Sequence, residues 1–282
     1  MSLVTTSPRV EVSDAKDRSG FLSVLERHIS SGKLGTSGRL LVLGAGEGDA
    51  SVLREAGWSA ISLSNFRADN TNTIRGDDYL ELDAEDLALP DESFESVAAY
   101  EVLHHCRSPH RALCEMLRVS RRYVFFQEPN DSALYALFRR IGLISTFEIP
   151  AVVANGFVAG GVRNTAVPNH IYRWNHRTVY QTALSFVPDR VVRVHSYPYW
   201  ELNQTEFELS LRLEGRIGYL INSAGGPRNF RRILRVAERV LNAMPPCRRT
   251  GNQFFCCIEK TDRLHEWLLR QGSQIMFNRQ YR

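Results

Sequence analysis

Three stretches of this 282-residue chain carry residue types and spacings that can do chemistry. The first is Gly44-Ala45-Gly46-Glu47-Gly48, three alternating glycines directly after the apolar run Leu40-Leu41-Val42-Leu43. Alternating glycines let a backbone take positive φ and approach a ligand closely, and a helix beginning there turns its positive end toward whatever binds. The second is Asp83-Ala84-Glu85, where acids flank a small residue. The third is Glu101-Val102-Leu103-His104-His105-Cys106, with two adjacent imidazoles, the side chain suited to moving a proton near pH 7. Further along stand Glu128 and the ring-rich run Asn169-His170-Ile171-Tyr172-Arg173-Trp174-Asn175-His176.

Those residues need elements to hold them. Four apolar residues bounded by turn formers, Leu40 to Leu43, suit a parallel strand covered on both faces. A helix from Asp49 to Ala56 follows, then Gly57 as its stop and a second strand from Trp58 to Leu63. A third strand ends at Asp83, and a fourth runs from Ser96 to Tyr100. Apolar positions at Ala112, Leu113, Met116, Leu117 and Val119 give a helix from His110 to Val119. A fifth strand, Tyr123 to Gln127, ends at Glu128-Pro129-Asn130, with Asn130 or Asp131 to cap a helix through Arg140. Earlier, Phe21 to Ile29 has helical spacing. Later come a helix from Val179 to Phe186, a sixth strand from Arg190 to Tyr197, a helix from Pro227 to Asn242 and a final strand from Asn252 to Glu259. Strands alternating with helices make an α/β fold, in which ligands lie at the strand ends.

Composition sets bounds. An apolar fraction of 43% and a charged fraction of 23% are ordinary for a globular chain. No run is long enough to span a bilayer, and the first 20 residues lack the apolar core of a signal peptide, so a cytoplasmic location is expected. Five cysteines without C-x-x-C spacing give neither a disulfide framework nor a zinc site, and no metal is expected. The net charge is +4, yet Lys16, Lys33 and Lys260 are the only lysines among 35 basic residues. Arginine pairs with carboxylates and phosphates in a bidentate manner, a faint pointer to an anionic acceptor. On the helix 227–242 the arginines 228, 231, 232, 235 and 239 face away from Phe230, Ile233, Leu234, Ala237, Val240 and Leu241. Such a stripe suits an acidic partner, a peripheral contact with an anionic membrane, or solvent. No nucleic-acid partner is expected.

The glycine turn G-x-G-x-G, the run Asp83-Ala84-Glu85-Asp86-Leu87-Ala88-Leu89-Pro90 to Ser93-Phe94, and Glu101-Val102-Leu103-His104-His105 together resemble the class I S-adenosylmethionine-dependent methyltransferases, in particular the type 11 group. The resemblance covers Leu40 to Asn130. It implies a doubly wound, seven-stranded, mostly parallel sheet with an antiparallel last strand, and S-adenosylmethionine as cofactor. It implies that Gly44, Ala45, Gly46 and Gly48 form the cofactor loop, that Ser64 and Asn65 stand at the ribose, and that Asp83, Ala84, Glu85 and Glu101 line the rest. Asp83 would accept from the adenine amine while Ala84 leaves room for the ring. At the ribose the chain departs from the pattern, since Ser64 stands where an acid is usual. Losing a charge-assisted bond there costs about 1.5–3 kcal/mol, so either Asn65 compensates or the cofactor binds weakly.

Five segments follow: an arm over 1–19, a cofactor-binding core over 20–141, a lid or substrate cap over 142–177, the rest of the sheet over 178–261, and a tail over 262–282. The cap would bring His170, Tyr172, Trp174 and His176 to the acceptor beside Glu128, and His104 and His105 are the catalytic candidates. The chain lacks the N-P-P-Y run of enzymes that methylate amides and bases, which turns the expectation toward a hydroxyl of a small molecule or glycan. Two alternatives stand beside this one. A nicotinamide-dependent oxidoreductase is disfavoured by Asp49, where the dinucleotide fingerprint has its third glycine. A catalytically silent module of the same fold, working through its arginine-striped helix, is kept open by Ser64.

Overall fold

The structure is a computed structural model that describes residues 19–66, 78–141, 146–202 and 225–281. The strands are β1 (Arg39–Leu43), β2 (Ala60–Asn65), β3 (Asp78–Glu81), β4 (Phe94–Tyr100), β5 (Ser120–Pro129), β6 (Arg190–Tyr199), β7 (Gln253–Leu264), β8 (Leu268–Gln271) and β9 (Gln274–Phe277). Helices are α1 (Ser19–Ser30), α2 (Glu47–Glu55), α3 (Pro109–Val119), α4 (Ala133–Arg140), α5 (Ile149–Ala154), α6 (His176–Phe186), α7 (Pro227–Ala243) and α8 (Pro245–Arg248). The first seven strands form one sheet in the order β3-β2-β1-β4-β5-β7-β6. Every neighbouring pair is parallel except those of β7, which runs antiparallel to β5 and β6. This is the doubly wound, mostly parallel seven-stranded sheet expected.

Alternation along the strands divides the core between two faces. Leu41, Leu43, Val97, Phe126, Phe254 and Cys256 pack on one side with Leu113, Met116 and Leu117 of α3 and Val179 and Ala183 of α6. Leu40, Val42, Ala98, Phe125, Phe255 and Cys257 pack on the other with Phe21, Val24 and Leu25 of α1 and Leu53 of α2. Side chains of successive strand residues point to opposite faces, so adjacent Cys256 and Cys257 lie in different cores. The order of connection reverses between β1 and β4, and a crevice opens beyond their carboxyl ends. Both the glycine turn and the two histidines stand there.

Several local expectations are revised. The cap of α4 is Ser132, whose Oγ accepts from the Tyr135 amide at 3.3 Å. Asn130 is instead buried, its amide donating to the Gly251 carbonyl at 2.8 Å, and Asp131 pairs with Arg139. Strand β7 continues past Glu259 to Leu264, and the tail closes into the hairpin β8–β9. In α7, Ile233 and Val240 are exposed along with Val236. The helix is held to the end of β6 by polar groups: Asn242 Oδ1 accepts from the Trp200 amide at 2.8 Å and Glu238 Oε2 from the Leu202 amide at 3.0 Å. Those bonds turn the 238 and 242 side inward and leave part of the expected apolar stripe outside. Most of the segment expected as an arm, and residues 142–145 of the cap, fall outside the described residues. Among the described residues no helix is long and apolar enough to cross a membrane.

Gly44 is required twice over at the turn. Its φ is +59°, and a Cβ built on it would lie 2.5 Å from Val102 Cγ2. Gly44→Ala should therefore lower the unfolding free energy by about 1–3 kcal/mol, read as a shift of the urea midpoint. An unchanged midpoint would contradict this packing of the turn on Val102.

Candidate active site

Strand β1 delivers the glycine turn to the crevice. The Ala45 amide donates to the Ser64 carbonyl at 3.0 Å, tying the turn to the end of β2. Gly46 caps α2, and Asp49, three residues into the chain beyond it, accepts from the Gly46 amide at 2.8 Å. A carboxylate in the first helical turn satisfies an orphan donor and suits the helix dipole. A Cβ at Gly46 would meet nothing within 4 Å, so the space over the turn is open. Ser64 is only 1% exposed and its hydroxyl donates to the Val42 carbonyl at 3.1 Å. The ribose position assigned to it is therefore overturned: the hydroxyl points into the sheet. Asn65 is half-buried, its Oδ1 accepting from the Phe66 amide at 2.8 Å.

Beyond β3 the two acids separate in role. Asp83 Oδ1 accepts from the Glu85 amide at 3.0 Å, and Oδ2 lies 2.7 Å from Arg163 Nη2. Arg163 comes from a 3-10 turn of the cap, has φ +51°, and places its guanidinium 4.4 Å from the centre of the Phe66 ring. Glu85 is buried and accepts from the amides of Arg107 at 3.1 Å and Ser108 at 2.7 Å, closing the start of α3. The cofactor contact expected of Glu85 is thereby corrected, since its oxygens serve α3 and Arg163. Ala84 packs partly buried against the core.

At the end of β4 the chain turns sharply at Glu101, whose φ is +53°, unusual for a residue with a Cβ. Its amide donates to the Gln127 carbonyl at 2.9 Å and its Oε1 accepts from Gln253 at 3.0 Å. The following 3-10 turn, Leu103–His105, presents both imidazoles. Glu128, fully buried at the end of β5, accepts from the amides of Val102 at 2.8 Å and Leu103 at 2.6 Å, and its other oxygen is 2.6 Å from His104 Nδ1. It cannot also touch an acceptor, which corrects the substrate contact expected of it. Across the crevice, Glu148 Oε2 of the cap lies 3.2 Å from His104 Nε2 and 3.5 Å from His105 Nε2. Asn169 Nδ2 donates to the same Glu148 oxygen and to the His104 carbonyl, both at 3.0 Å.

These neighbours set the charges. Burial opposes a proton on His104, but the carboxylates of Glu128 and Glu148 outweigh it and hold the imidazole well above its usual value. Burial, then the charge of His104, pushes His105 down to about 4. Burial would raise Glu148, but its bond to His104 and the charges of both histidines bring it to about 2. Burial and the nearby acids push the Cys106 thiol up, so it is no nucleophile.

The ring-rich run of the cap is not brought together at this point. Trp174 is fully buried, packed at tilted and edge-on angles among Phe126, Tyr172 and His110, and its backbone docks on Pro129 and Asp131. Tyr172 gives its hydroxyl to His110 at 2.7 Å, and His176 bonds Ser196 and stacks on Tyr180. The acceptor contacts expected of Trp174, Tyr172 and His176 are corrected accordingly: a fully buried indole is core, and the other two are turned to α3 and β6. His170 is exposed, edge-on to Phe147. Glu148, Arg163 and Asn169 had no local sequence signal, because their partners lie far away in the chain.

Sheet order, glycine turn, strand-end acid and imidazole turn meet in one crevice at the carboxyl ends of the strands. Residues 43–126 match a family model described as a methyltransferase domain. The chain carries such a domain there, and S-adenosylmethionine is the cofactor of its class. Solved structures similar to the chain include an S-adenosylmethionine-dependent methyltransferase from Archaeoglobus fulgidus, 16% identical over 86% of this chain and 94% of that one, with a TM-score of 0.47. Another from Mesorhizobium loti is 13% identical over 84% and 98%, with a TM-score of 0.44. A Pyrococcus horikoshii protein is 13% identical over 88% and 93%, with a TM-score of 0.48. No curated protein sequence matches the chain.

The charge pattern gives a stability profile with a worked sign. His105 has a folded value below the ordinary 6.5, so its contribution is full above pH 6.5 and is lost as pH falls toward about 4. Glu148, lowered from 4.5, contributes fully above pH 4.5 and loses this toward about 2. His104, raised, acts oppositely, keeping its contribution below pH 6.5 and losing it only as pH climbs through its raised value. Urea unfolding across pH should thus show stability falling between pH 6.5 and 4 by on the order of 1–3 kcal/mol. Burial also lowers His28, His110 and His195, which act in the same direction, so His105→Gln should make that leg shallower without abolishing it, and an equally steep leg in the variant would refute the assignment.

Proposed function

We propose that the chain transfers a methyl group from S-adenosylmethionine to a hydroxyl of a small molecule or glycan held beneath the cap. One observation carries this reading: Gly44 of the cofactor turn packs on Val102, the residue that leads into His104 and His105, so donor turn and imidazoles share one crevice. The open space at Gly46 suits a bound cofactor, with the turn amides and the start of α2 around it. Asp83 would hold the adenine amine once Arg163 gives way. When bound, S-adenosylmethionine supplies a methyl group on a cationic sulfonium, whose C–S bond breaks with its electron pair left on sulfur.

The chain's own residues do the rest. His105 and Glu148, both partly exposed, face the space where an acceptor oxygen would lie. The acceptor's O–H bond breaks with its proton passing to this pair, and the new O–C bond forms along the line of the departing sulfur. Glu128 and His104 act as positioning residues, holding the imidazole turn and Glu148 in place. The cap excludes water from the crevice.

A second reading, the catalytically silent module, has a specific observation in its favour. Ser64 is turned into the sheet and Arg163 holds Asp83, so two of the expected cofactor contacts are engaged within the chain.

Calorimetric titration with S-adenosylmethionine, S-adenosylhomocysteine and NADH separates the readings. Binding of the first two alone supports the enzyme; binding of none favours the silent module. Gly46→Leu should abolish S-adenosylhomocysteine binding while leaving the urea midpoint unchanged. Arg163→Ala should tighten it by about 1.4- to 5-fold, or roughly 0.2–1 kcal/mol, because a partly exposed ion pair no longer competes for Asp83. Unchanged or weaker binding would show that Arg163 does not compete. With a methylated hydroxyl acceptor in hand, His105→Ala should lower kcat by about 100- to 10,000-fold at constant S-adenosylhomocysteine affinity.

A further inference from the structure

We infer that His104, His105 and Glu148 form a binding site for one divalent transition-metal ion, with zinc the best fit. One ligand atom from each of His104, His105 and Glu148 lies within 4.8 Å of the other two. The two nitrogen-to-oxygen separations are 3.2 and 3.5 Å. Ligands about 2.0–2.1 Å from a tetrahedral ion stand roughly 3.3–3.4 Å apart, so these two edges already have the spacing that a zinc ion needs. Two imidazoles and one carboxylate are a borderline-soft set, suited to zinc or its first-row neighbours rather than to magnesium or calcium, which prefer oxygen alone.

The surroundings are also those of a metal site. A ligating imidazole commonly uses its second nitrogen to bond a carboxylate or a backbone carbonyl, which fixes the ring and leaves the other nitrogen aimed at the ion. His104 does this through Nδ1 to buried Glu128. Asn169 Nδ2 donates to the carboxylate oxygen that would be the third ligand. The ligands come from two parts of the chain, the turn after β4 and the cap, so an ion would clasp the cap over the crevice. Three protein ligands leave a fourth position, open to solvent beside the partly exposed His105 and Glu148. An acceptor hydroxyl bound there would be acidified and would give its proton to solvent, in place of the His105–Glu148 pair whose donor atoms the ion then occupies. This role for the ion rests on the methyltransferase reading; the binding of the ion does not.

Cobalt(II), a spectroscopic stand-in for zinc, provides the test. Titrated into the full chain after treatment with a chelator, it should bind at one equivalent with the intense visible bands of a four-coordinate site, and zinc should displace it while magnesium does not. Glu148→Gln and His105→Asn should each abolish the bands, and Asn169→Ala should weaken binding by about 10- to 100-fold. Circular dichroism of each variant checks that it is folded. No stoichiometric cobalt binding by the unaltered chain would overturn the inference, as would bands that survive in folded Glu148→Gln and His105→Asn. S-adenosylhomocysteine titration of the same preparation, with and without zinc, reports separately on the methyltransferase reading.

Discussion

The carboxylate of Glu128 is the contact on which the crevice depends. It is fully buried at the end of β5, yet it accepts from two successive backbone amides of the turn after β4 and meets His104 Nδ1. A buried carboxylate is costly unless its lone pairs are satisfied, and here the amides and the imidazole do so together. The same bonds join the ends of two parallel strands that already pair in register from Ser96 to Tyr100. They also fix the ring of His104, whose remaining nitrogen can then point only across the crevice.

The crevice end of the cap is attached through polar contacts. Glu148 reaches the two histidines, Asn169 ties Glu148 to the His104 carbonyl, and Arg163 reaches Asp83 over the Phe66 ring. Backbone pairing between Phe147 and His170, and the docking of Trp174 on Pro129, hold the two limbs of the cap together and to the sheet. Arg163 and Glu148 stand at the crevice end of the cap, one over the strand-end acid and one over the imidazoles.

Much of the fold was legible because its signals are local. Leu40 to Leu43, Ser96 to Tyr100 and Tyr123 to Gln127 read as strands from short apolar runs, and all three are central strands of the sheet. The glycine turn needed no tertiary information, since positive φ at Gly44 is a demand on a single residue. Legibility failed where two polar candidates competed for one job. Asn130, Asp131 and Ser132 can each cap a helix, and the choice of Ser132 followed from Asn130 being drawn to the Gly251 carbonyl, 121 residues away. It failed again at the rings of the cap, because an indole reads alike in sequence whether it faces a ligand or, like Trp174, fills the space between α3 and β5.

The sequence by itself determined the succession of the seven strands of the sheet, the turn at Gly44 to Gly46, and the presence of an acid after β3 and paired imidazoles after β4. Each of these depends on neighbours within a few residues, where covalent geometry and side-chain periodicity already constrain the outcome. Only the tertiary structure decided what those groups touch. It turned the Ser64 hydroxyl to Val42, gave Glu85 to the start of α3, and brought Glu148 and Arg163 from the cap onto His104, His105 and Asp83. Such contacts join residues tens of positions apart, and a charged side chain in a polar loop has many partners within reach of its composition but few within reach of its place in the fold. Packing of the cap on β5 selects among them, and that selection has no counterpart in any short stretch of sequence.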